Sequence, residues 1–307
     1  MSLKSRYLAT AAIGALLAVG ASGTAQATPA YAYASLGFTK FTLSGIFNAQ
    51  GQAATGVTNL NTNVTMTDSA NYPGFGGASQ STGGNIISGA DVLQSTSGAG
   101  PFPGQNVFTQ ALLGSSGTRG DGLITGPLAG GASSNLVAEG NLTQGLSFAG
   151  SSAGSSTTVS ATFGATSALT VALSATALST LAASVGTTGD SANAQTSASY
   201  TIKDLTTGTF VSICDATVTP NVCSTNPIAP TAANQNLAVN NAGPASSQTV
   251  TAAYDYTAQL VAGDRYQLTL QDSATEILST VPEPGSLAVI GVGLMALARV
   301  GRQRRKA

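Results

Sequence analysis

The chain has 307 residues, of which only 7% are charged, and it contains neither histidine nor tryptophan. A typical soluble protein carries roughly 25% charged residues. Without histidine, the Ser-His-Asp and Cys-His arrangements of nucleophilic catalysis are excluded, as are imidazole metal sites and a histidine general base.

Residues 1–27 have the layout of a cleaved signal peptide. Lys4 and Arg6 supply the positive start, an uncharged apolar run follows, and Ala25 and Ala27 form the small-x-small cleavage site. An N-terminal membrane anchor is the competing interpretation. The apolar run is short and small residues follow it, and both features argue against an anchor. We therefore predict export of the chain and cleavage after Ala27.

The β-rich body predicted to lie outside the cytoplasm, residues 28–281, is acidic and poor in cations. It holds four basic and eleven acidic residues, a net charge of −7. Nucleic acid is excluded as a partner, because binding phosphates requires a patch of Lys and Arg. The acidity is compatible with divalent cations or with a hydrated matrix.

Short runs in which apolar residues alternate with small or polar ones recur along the body. This period of two predicts half-buried strands. The Gly, Asn and Ser residues between the runs favour a mostly β fold, an antiparallel β-sandwich with long loops. The predicted strands cover residues 37–47, 157–163, 169–174, 200–203, 210–213, 249–258 and 265–270. Residues 206–208 predict a hairpin turn, and the Gly-Asp pair in residues 261–264 suits another tight turn.

Three stretches rich in Gly, Pro or Ser are predicted as loops: residues 70–84, 98–104 and 149–156. The last is either a loop or a linker. As a linker it would divide the body into two β units of an allowed domain size. One sandwich with long loops is preferred over two domains.

Cys214 and Cys223 are the only cysteines. In an exported chain an even number of cysteines predicts a disulfide, whereas a metal site needs more ligands than two thiols. We predict the disulfide rather than free thiols, and we predict no metal site and no cofactor.

Carboxylates are the main groups left for acid–base chemistry. Asp255, Asp264 and Asp272 lie near the C-terminal strands, where a pair could flank a glycosidic bond. Glycan-cleaving sites also need aromatic platforms, and the chain lacks tryptophan. The favoured interpretation is that these aspartates occupy turns and strand edges and that the chain is not an enzyme.

Two further patterns are weaker. Asn59, Asn61 and Asn63 offer amides at alternate positions without clustered charge, so they predict at most a weak calcium site. Residues 150–154 fit the Gly-x-Ser-x-Gly nucleophile elbow, but no histidine exists to activate Ser152, and we treat the match as chance.

Serine and threonine are abundant in the predicted strands. An exposed surface of hydroxyls can carry O-linked glycans or bind polysaccharide directly. The alternative is that these residues form the polar faces of ordinary strands. Composition alone leaves both interpretations open.

Three elements follow one another at the C-terminus. Pro282 and Pro284 hold Glu283 in an extended segment that a peptidase cleft can recognise, and residues 287–298 form an apolar run that can be helical in lipid. A basic tail follows, on the side that the positive-inside rule assigns to the cytoplasm: Arg299, Arg302, Arg304, Arg305 and Lys306.

Residues 282–307, with the Pro282-Glu283-Pro284 motif, the apolar helix and the Arg-rich tail, resemble the PEP-CTERM sorting signal of exopolysaccharide-producing Gram-negative bacteria. The resemblance implies cleavage near this motif by exosortase, a membrane-embedded enzyme similar to cysteine transpeptidases. It also implies a precursor that a transmembrane helix anchors transiently in the inner membrane. The expected destination is the cell surface or the extracellular matrix.

These expectations together describe a structural or adhesive protein associated with exopolysaccharide, biofilm or floc formation. A secreted carbohydrate-binding module is the first alternative. A glycan hydrolase that uses carboxylates is the second, less favoured one.

Overall fold

Most of the chain that the structure describes is β-strand. The computed structural model describes residues 30–48, 52–84, 90–99, 116–125, 132–142, 150–186, 189–217, 222–225, 227–280 and Met295. The strands within these ranges are β1 (Ala30–Ser44), β2 (Val57–Tyr72), β3 (Gly76–Gly84), β4 (Ala90–Ala99), β5 (Ser116–Thr125), β6 (Ala132–Leu142), β7 (Gly150–Ala165), β8 (Leu169–Ser184), β9 (Ser191–Asp204), β10 (Ile213–Asp215), β11 (Val222–Ser224), β12 (Gln235–Val239), β13 (Ser246–Leu260) and β14 (Arg265–Ser279). A short 3₁₀ helix covers Thr231–Ala233.

The strands form two antiparallel sheets. Sheet A has eight strands in the order β11-β10-β13-β8-β1-β6-β5-β4, and sheet B has six in the order β12-β9-β14-β7-β2-β3. The long central strands carry most of the pairing; β13 pairs with β8 from Ser246 to Leu260 without interruption. The prediction of a mostly β, antiparallel fold is confirmed.

The core lies between the two sheets. Along β7 and β14 buried and partly exposed residues alternate almost without exception, because successive side chains of a strand point to opposite faces. One cluster of buried side chains joins both sheets, with Leu36 and Leu173 from sheet A and Val159 and Leu268 from sheet B. The two sheets therefore pack face to face, in the layered arrangement of a sandwich.

The predicted strands are present, but two pairs of consecutive strands separate into different sheets. The runs 157–163 and 169–174 lie in β7 and β8, which belong to sheets B and A respectively. The runs 249–258 and 265–270 lie in β13 and β14, which belong to sheets A and B. The turn at residues 261–264 therefore crosses between the two layers and does not close a hairpin.

The chain reverses direction around residues 206–208, as predicted, but no regular strand directly follows the turn. The β9 strand ends at Asp204, whose Oδ1 accepts hydrogen bonds from the backbone N–H groups of Thr206 at 2.7 Å and Thr207 at 3.2 Å. The chain then returns to make a single bridge between Lys203 and Phe210. An aspartate that caps its own turn in this way stabilises a tight reversal.

Two of the predicted loops are wrong. Residues 70–84 form the end of β2, a turn and all of β3, which pair from Tyr72↔Gly76 to Val64↔Gly84. Residues 150–156 are the first half of β7, paired with β2 and β14, so they are not a linker. Small residues pack without difficulty in a strand whose neighbours supply the bulk, which is why their abundance misled the prediction. Of residues 98–104, the first two end β4 and the rest lie outside the described ranges.

Strands from both sides of this supposed linker share the sheets. The β1, β4, β5 and β6 strands precede it and lie in sheet A beside β8 and β13, which follow it.

The predicted signal helix and the predicted transmembrane helix lie outside the described residues, apart from the single helical residue Met295. Among the residues that the structure describes, no helix is long and apolar enough to cross a membrane.

Candidate functional site

The predicted sorting motif follows directly from a central strand. The β14 strand ends at Ser279, where it pairs with Gly150 of β7 and Ser191 of β9. Thr280 is the last described residue before the motif, so Pro282, Glu283, Pro284 and the basic tail lie outside the described ranges.

Both ends of the folded body emerge at the same end of the two sheets. Ala30, the first described residue, lies in one cluster of buried side chains with Leu278 near the end of β14 and Ala192 at the start of β9. The cleavage site predicted at Ala25 and Ala27 lies outside the described residues, a few positions before this cluster. The first described strand therefore begins, and the last one ends, at the same end of the sheets.

The outer face of sheet B is covered with hydroxyl and amide side chains, and we call the outward residues of β2, β7, β9 and β14 the hydroxyl face. One row across the four strands, Thr67–Ser156–Ser273–Ser197, consists entirely of hydroxyl residues. The uncharged outward side chains are Asn61, Asn63, Thr65, Thr67, Ser69, Asn71, Ser152, Ser156, Thr158, Ser160, Thr162, Gln267, Thr269, Gln271, Ser273, Thr275, Ile277, Asn193, Gln195, Ser197, Ser199 and Thr201.

Hydrogen bonds between strands hold parts of this face in place. The hydroxyls of Thr67 and Ser156 lie 2.6 Å apart, and those of Ser197 and Ser273 lie 2.7 Å apart. The only apolar side chain of the face is Ile277, and its only charged ones are the cations Lys203 and Arg265, at the opposite end from Ser279. The face therefore offers mostly neutral donors and acceptors on a regular sheet.

A groove of about 610 Å³ lies between β10, β11, β13 and residues 227–235. The rings of Tyr254 and Tyr256 line it and stack with centroids 5.9 Å apart and an angle of 14° between their planes. Asp215 also lines the groove, and its Oδ1 accepts hydrogen bonds from the N–H and hydroxyl of Thr217 at 2.8 and 2.6 Å. Burial, with a smaller contribution from the Asp215 carboxylate, raises the pKa of Tyr256.

The three aspartates predicted as catalytic candidates occupy three different environments. Asp255 is exposed on the outer face of sheet A and accepts a hydrogen bond from Ser174 at 3.2 Å. Asp264 lies in the turn between β13 and β14, and Asp272 is buried between the sheets. The structure does not assemble them into one site.

The other predicted patterns lie in strand β2 and strand β7. Asn61 and Asn63 point outward along β2, where alternate residues are roughly 7 Å apart, and Asn59 lies in a bulge with a positive φ of 49°. These amides do not converge on one point. Ser152 is in mid-strand between Asn71 and Ile277, which is not the strand–turn–helix setting of a nucleophile elbow.

Carboxyl groups between the sheets are the feature that sequence reasoning missed. Asp68, Asp272 and Glu276 are each only 1% exposed. Burial raises the pKa of Asp68 and of Asp272 to about 7, and it raises that of Glu276 well above its usual value. Strand alternation was the signal that could have found them, since each lies two residues from an inward-facing Met66, Leu270 or Leu278.

The surroundings of these groups are specific. The hydroxyl of Ser134 on β6 donates a hydrogen bond to Oδ2 of Asp272 at 3.2 Å. The Glu276 carboxylate lies against Gly140, where any side chain would place its β-carbon 2.5 Å from Oε1. A side chain at position 140 would therefore force the Glu276 carboxyl group to move.

We expect the protein to lose stability as the pH rises from about 4 to about 7. The folded state holds protons on Asp272 and Asp68 up to a pKa of about 7, while the unfolded chain releases them near 4. Since the folded state then binds more protons, the free energy of unfolding falls over this interval, by about 4 kcal/mol for each group whose pKa is raised by about three units. Asp272→Asn removes the contribution of Asp272, while that of Asp68 stays, and it should make the protein more stable at pH 7.

Urea unfolding at pH 4, 5.5 and 7 measures the effect, with Asp255→Asn on the exposed face as the matched control. The control should follow the native pH profile. Stability that increases with pH in the native protein, or an Asp272→Asn profile as steep as the native one, would contradict the prediction.

A second buried charged cluster lies on β5 and β6. The Arg119 guanidinium is fully buried and lies 3.3 Å from a carboxylate oxygen of Asp121 and 3.1 Å from one of Glu139. Tyr31 on β1 donates a hydrogen bond from its hydroxyl to Glu139 at 2.8 Å. By strand alternation these side chains are on the opposite side of sheet A from Gly140, which faces Glu276.

Most of the acidic residues of the body are buried. Seven of its eleven acidic residues are buried: Asp68, Asp121, Glu139, Asp190, Asp204, Asp272 and Glu276. The net charge of −7 is therefore not displayed as an acidic surface. Among the described residues, no group of three or more Asp, Glu or Cys side chains is placed to hold a metal ion.

Cys214 and Cys223 form a disulfide between β10 and β11, where they lie directly opposite each other. These two strands form an edge of sheet A beside the Tyr254 groove. The bridge closes a short loop and limits the freedom of that edge.

Comparison with protein families matches residues 280–305 to the PEP-CTERM protein-sorting motif. The resemblance carried by Pro282-Glu283-Pro284, the apolar run and the basic tail is thereby confirmed. A chain with this motif is exported, has a membrane-anchored precursor stage and is processed by exosortase. No curated protein and no solved structure shows significant similarity to the chain.

Proposed function

We propose that the mature protein is a structural or adhesive component of the cell surface or extracellular matrix that binds exopolysaccharide through the hydroxyl face. The observation that supports this role is the composition of that face, in which hydroxyls and amides cover four adjacent strands with a single apolar side chain, Ile277. The role is scaffolding and does not require catalysis.

The spacing of a sheet suits an extended polymer. Outward residues repeat at roughly 7 Å along each strand and at about 4.8 Å between strands, so a polysaccharide chain meets many donors and acceptors in succession. Each neutral hydrogen bond contributes little on its own, because water competes for both partners. Many weak contacts along one polymer add to useful affinity through multivalency.

The absence of carboxylates from the face is as important as its hydroxyls. Because none of its outward residues is acidic, an anionic polysaccharide can approach it without repulsion from nearby carboxylates. The acidic residues that would oppose such contact are largely buried. Retention in biofilm or floc is the biological result that we propose.

We expect the row variant Thr67→Ala, Ser156→Ala, Ser273→Ala, Ser197→Ala to bind exopolysaccharide several-fold more weakly than the native chain. The row forms two side-chain hydrogen bonds within the sheet, and truncation removes both them and the outward donors. Co-sedimentation with exopolysaccharide extracted from the producing cells measures the bound fraction. The matched control replaces four outward hydroxyl residues of sheet A: Thr176, Thr180, Thr249 and Thr251.

A carbohydrate-binding module that uses the Tyr254 groove is the second candidate. Paired aromatic rings beside a carboxylate and an amide are the chemistry that recognises a short oligosaccharide. Binding that survives in the row variant but is lost in Tyr254→Leu would favour this candidate. Equal binding by the row variant and its control would refute the role of the hydroxyl face.

A further inference from the structure

The two sheets end in four edge strands, and one of them lacks the usual protection. An edge strand exposes unpaired backbone N–H and C=O groups, and proteins protect such edges by keeping them short or by placing charges, proline or bulges on them. The β11 strand has three residues and β12 has five. The β4 strand carries the charge of Asp91.

The fourth edge, β3, has none of these devices. It runs for nine residues, Gly76–Gly84, without a charged residue or proline, and it pairs with β2 in an uninterrupted register. Ser79, Gln80 and Ser81 are exposed. Among the described strands, β3 pairs only with β2, while the hydroxyl of Ser97 on β4 donates a hydrogen bond to the Gly76 carbonyl at the start of β3. No described strand pairs with the other side of residues 77–84.

We propose that β3 pairs antiparallel with β3 of a second copy of this chain. The same strand on both partners gives a self-complementary contact related by a two-fold axis, which closes as a dimer. Neither copy brings a charge to the contact, and the adjoining outward residues of β2 and β7 are also uncharged. The other two uncharged edges, β11 and β12, are shorter, with three and five residues.

The pairing extends the six-stranded sheet B of each copy into one twelve-stranded sheet. A two-fold axis between antiparallel neighbours stands perpendicular to the sheet, so the hydroxyl faces of both copies lie on the same side. The dimer would therefore present a single surface of twice the area. The pairing itself depends on the backbone edge and not on any ligand of that surface.

Sedimentation of the full-length chain in detergent micelles tests this proposal. The native chain should be dimeric at micromolar concentration. Gln80→Lys places a charge on the edge of each copy, and it should raise the dissociation constant at least tenfold. Gln195→Lys puts the same charge on exposed β9, away from this edge, and it should sediment like the native chain.

Cysteine cross-linking provides a second test that does not depend on the folding of the lysine variant. Because Cys214 and Cys223 are already joined, an introduced cysteine is the only free thiol. Single replacements at Ser79, Gln80 and Ser81 should include at least one that forms a covalent dimer, whereas exposed Ser247→Cys on sheet A should not. A monomeric native chain, or cross-linking no greater than in the control, would overturn the proposal.

Discussion

The double replacement Pro282→Ala, Pro284→Ala is expected to leave the C-terminal segment attached to the exported protein. By our prediction the two prolines fix an extended backbone and lack N–H donors, and alanine would let the segment join the helix predicted to follow it. A cleft that recognises an extended peptide would then lose its substrate. Intact mass measurement of the protein recovered from cells detects the retained tail directly.

The structure explains why this effect should be confined to sorting. The motif begins after Thr280, beyond the last paired residue of β14, so the substitutions change no residue of the described strands. The matched control is Pro244→Ala, in the exposed connection between β12 and β13. Its product should have the native mass. A native protein that keeps its tail, or a double variant that loses it normally, would contradict the prediction.

Replacing the buried Arg119 with methionine should destabilise the protein by about 3–5 kcal/mol, the cost of leaving buried charges without a partner. The guanidinium lies within 3.3 Å of both the Asp121 and Glu139 carboxylates, which are almost completely buried. Methionine keeps much of the volume but removes the positive charge. Urea unfolding at pH 7 measures the loss.

A rescue variant separates charge from packing. Arg119→Met combined with Asp121→Asn and Glu139→Gln removes all three charges, and most of the lost stability should return. Arg265→Met, at an exposed position at the start of β14, is the control and should change stability by less than about 0.5 kcal/mol. A loss below 1 kcal/mol in the single variant would show that the cluster is not needed to hold the fold.

Strand positions were predictable because alternation is a local property. Residues 157–163 and 265–270 have the period of two that a half-buried strand imposes, and both lie within strands of the structure. Which strands pair with each other, in contrast, depends on residues that are far apart in the sequence. Neighbouring runs such as β13 and β14 entered different sheets, and the short connection between them suits a hairpin equally well in sequence.

The sequence predicted the composition of the proposed binding surface but not its arrangement on one face. The abundance of serine and threonine was evident, but composition does not say whether hydroxyls gather on one face. Alternation within β2, β7, β9 and β14, together with their adjacency in sheet B, places their polar residues side by side. Residues 150–156, read as a loop, are part of that surface because the neighbouring strands supply the apolar contacts that they lack.

The sequence by itself determined how the protein is handled: the signal at residues 1–27 is predicted from it, and the sorting motif at residues 280–305 is read from a linear order of proline, apolar and basic elements. Enzymes recognise such signals as extended peptides, so no tertiary contact is needed. Only the tertiary structure decided where the charge of the body lies. Asp68, Asp272 and Glu276 are buried because non-adjacent strands bring a second sheet over them, and that contact depends on long-range pairing.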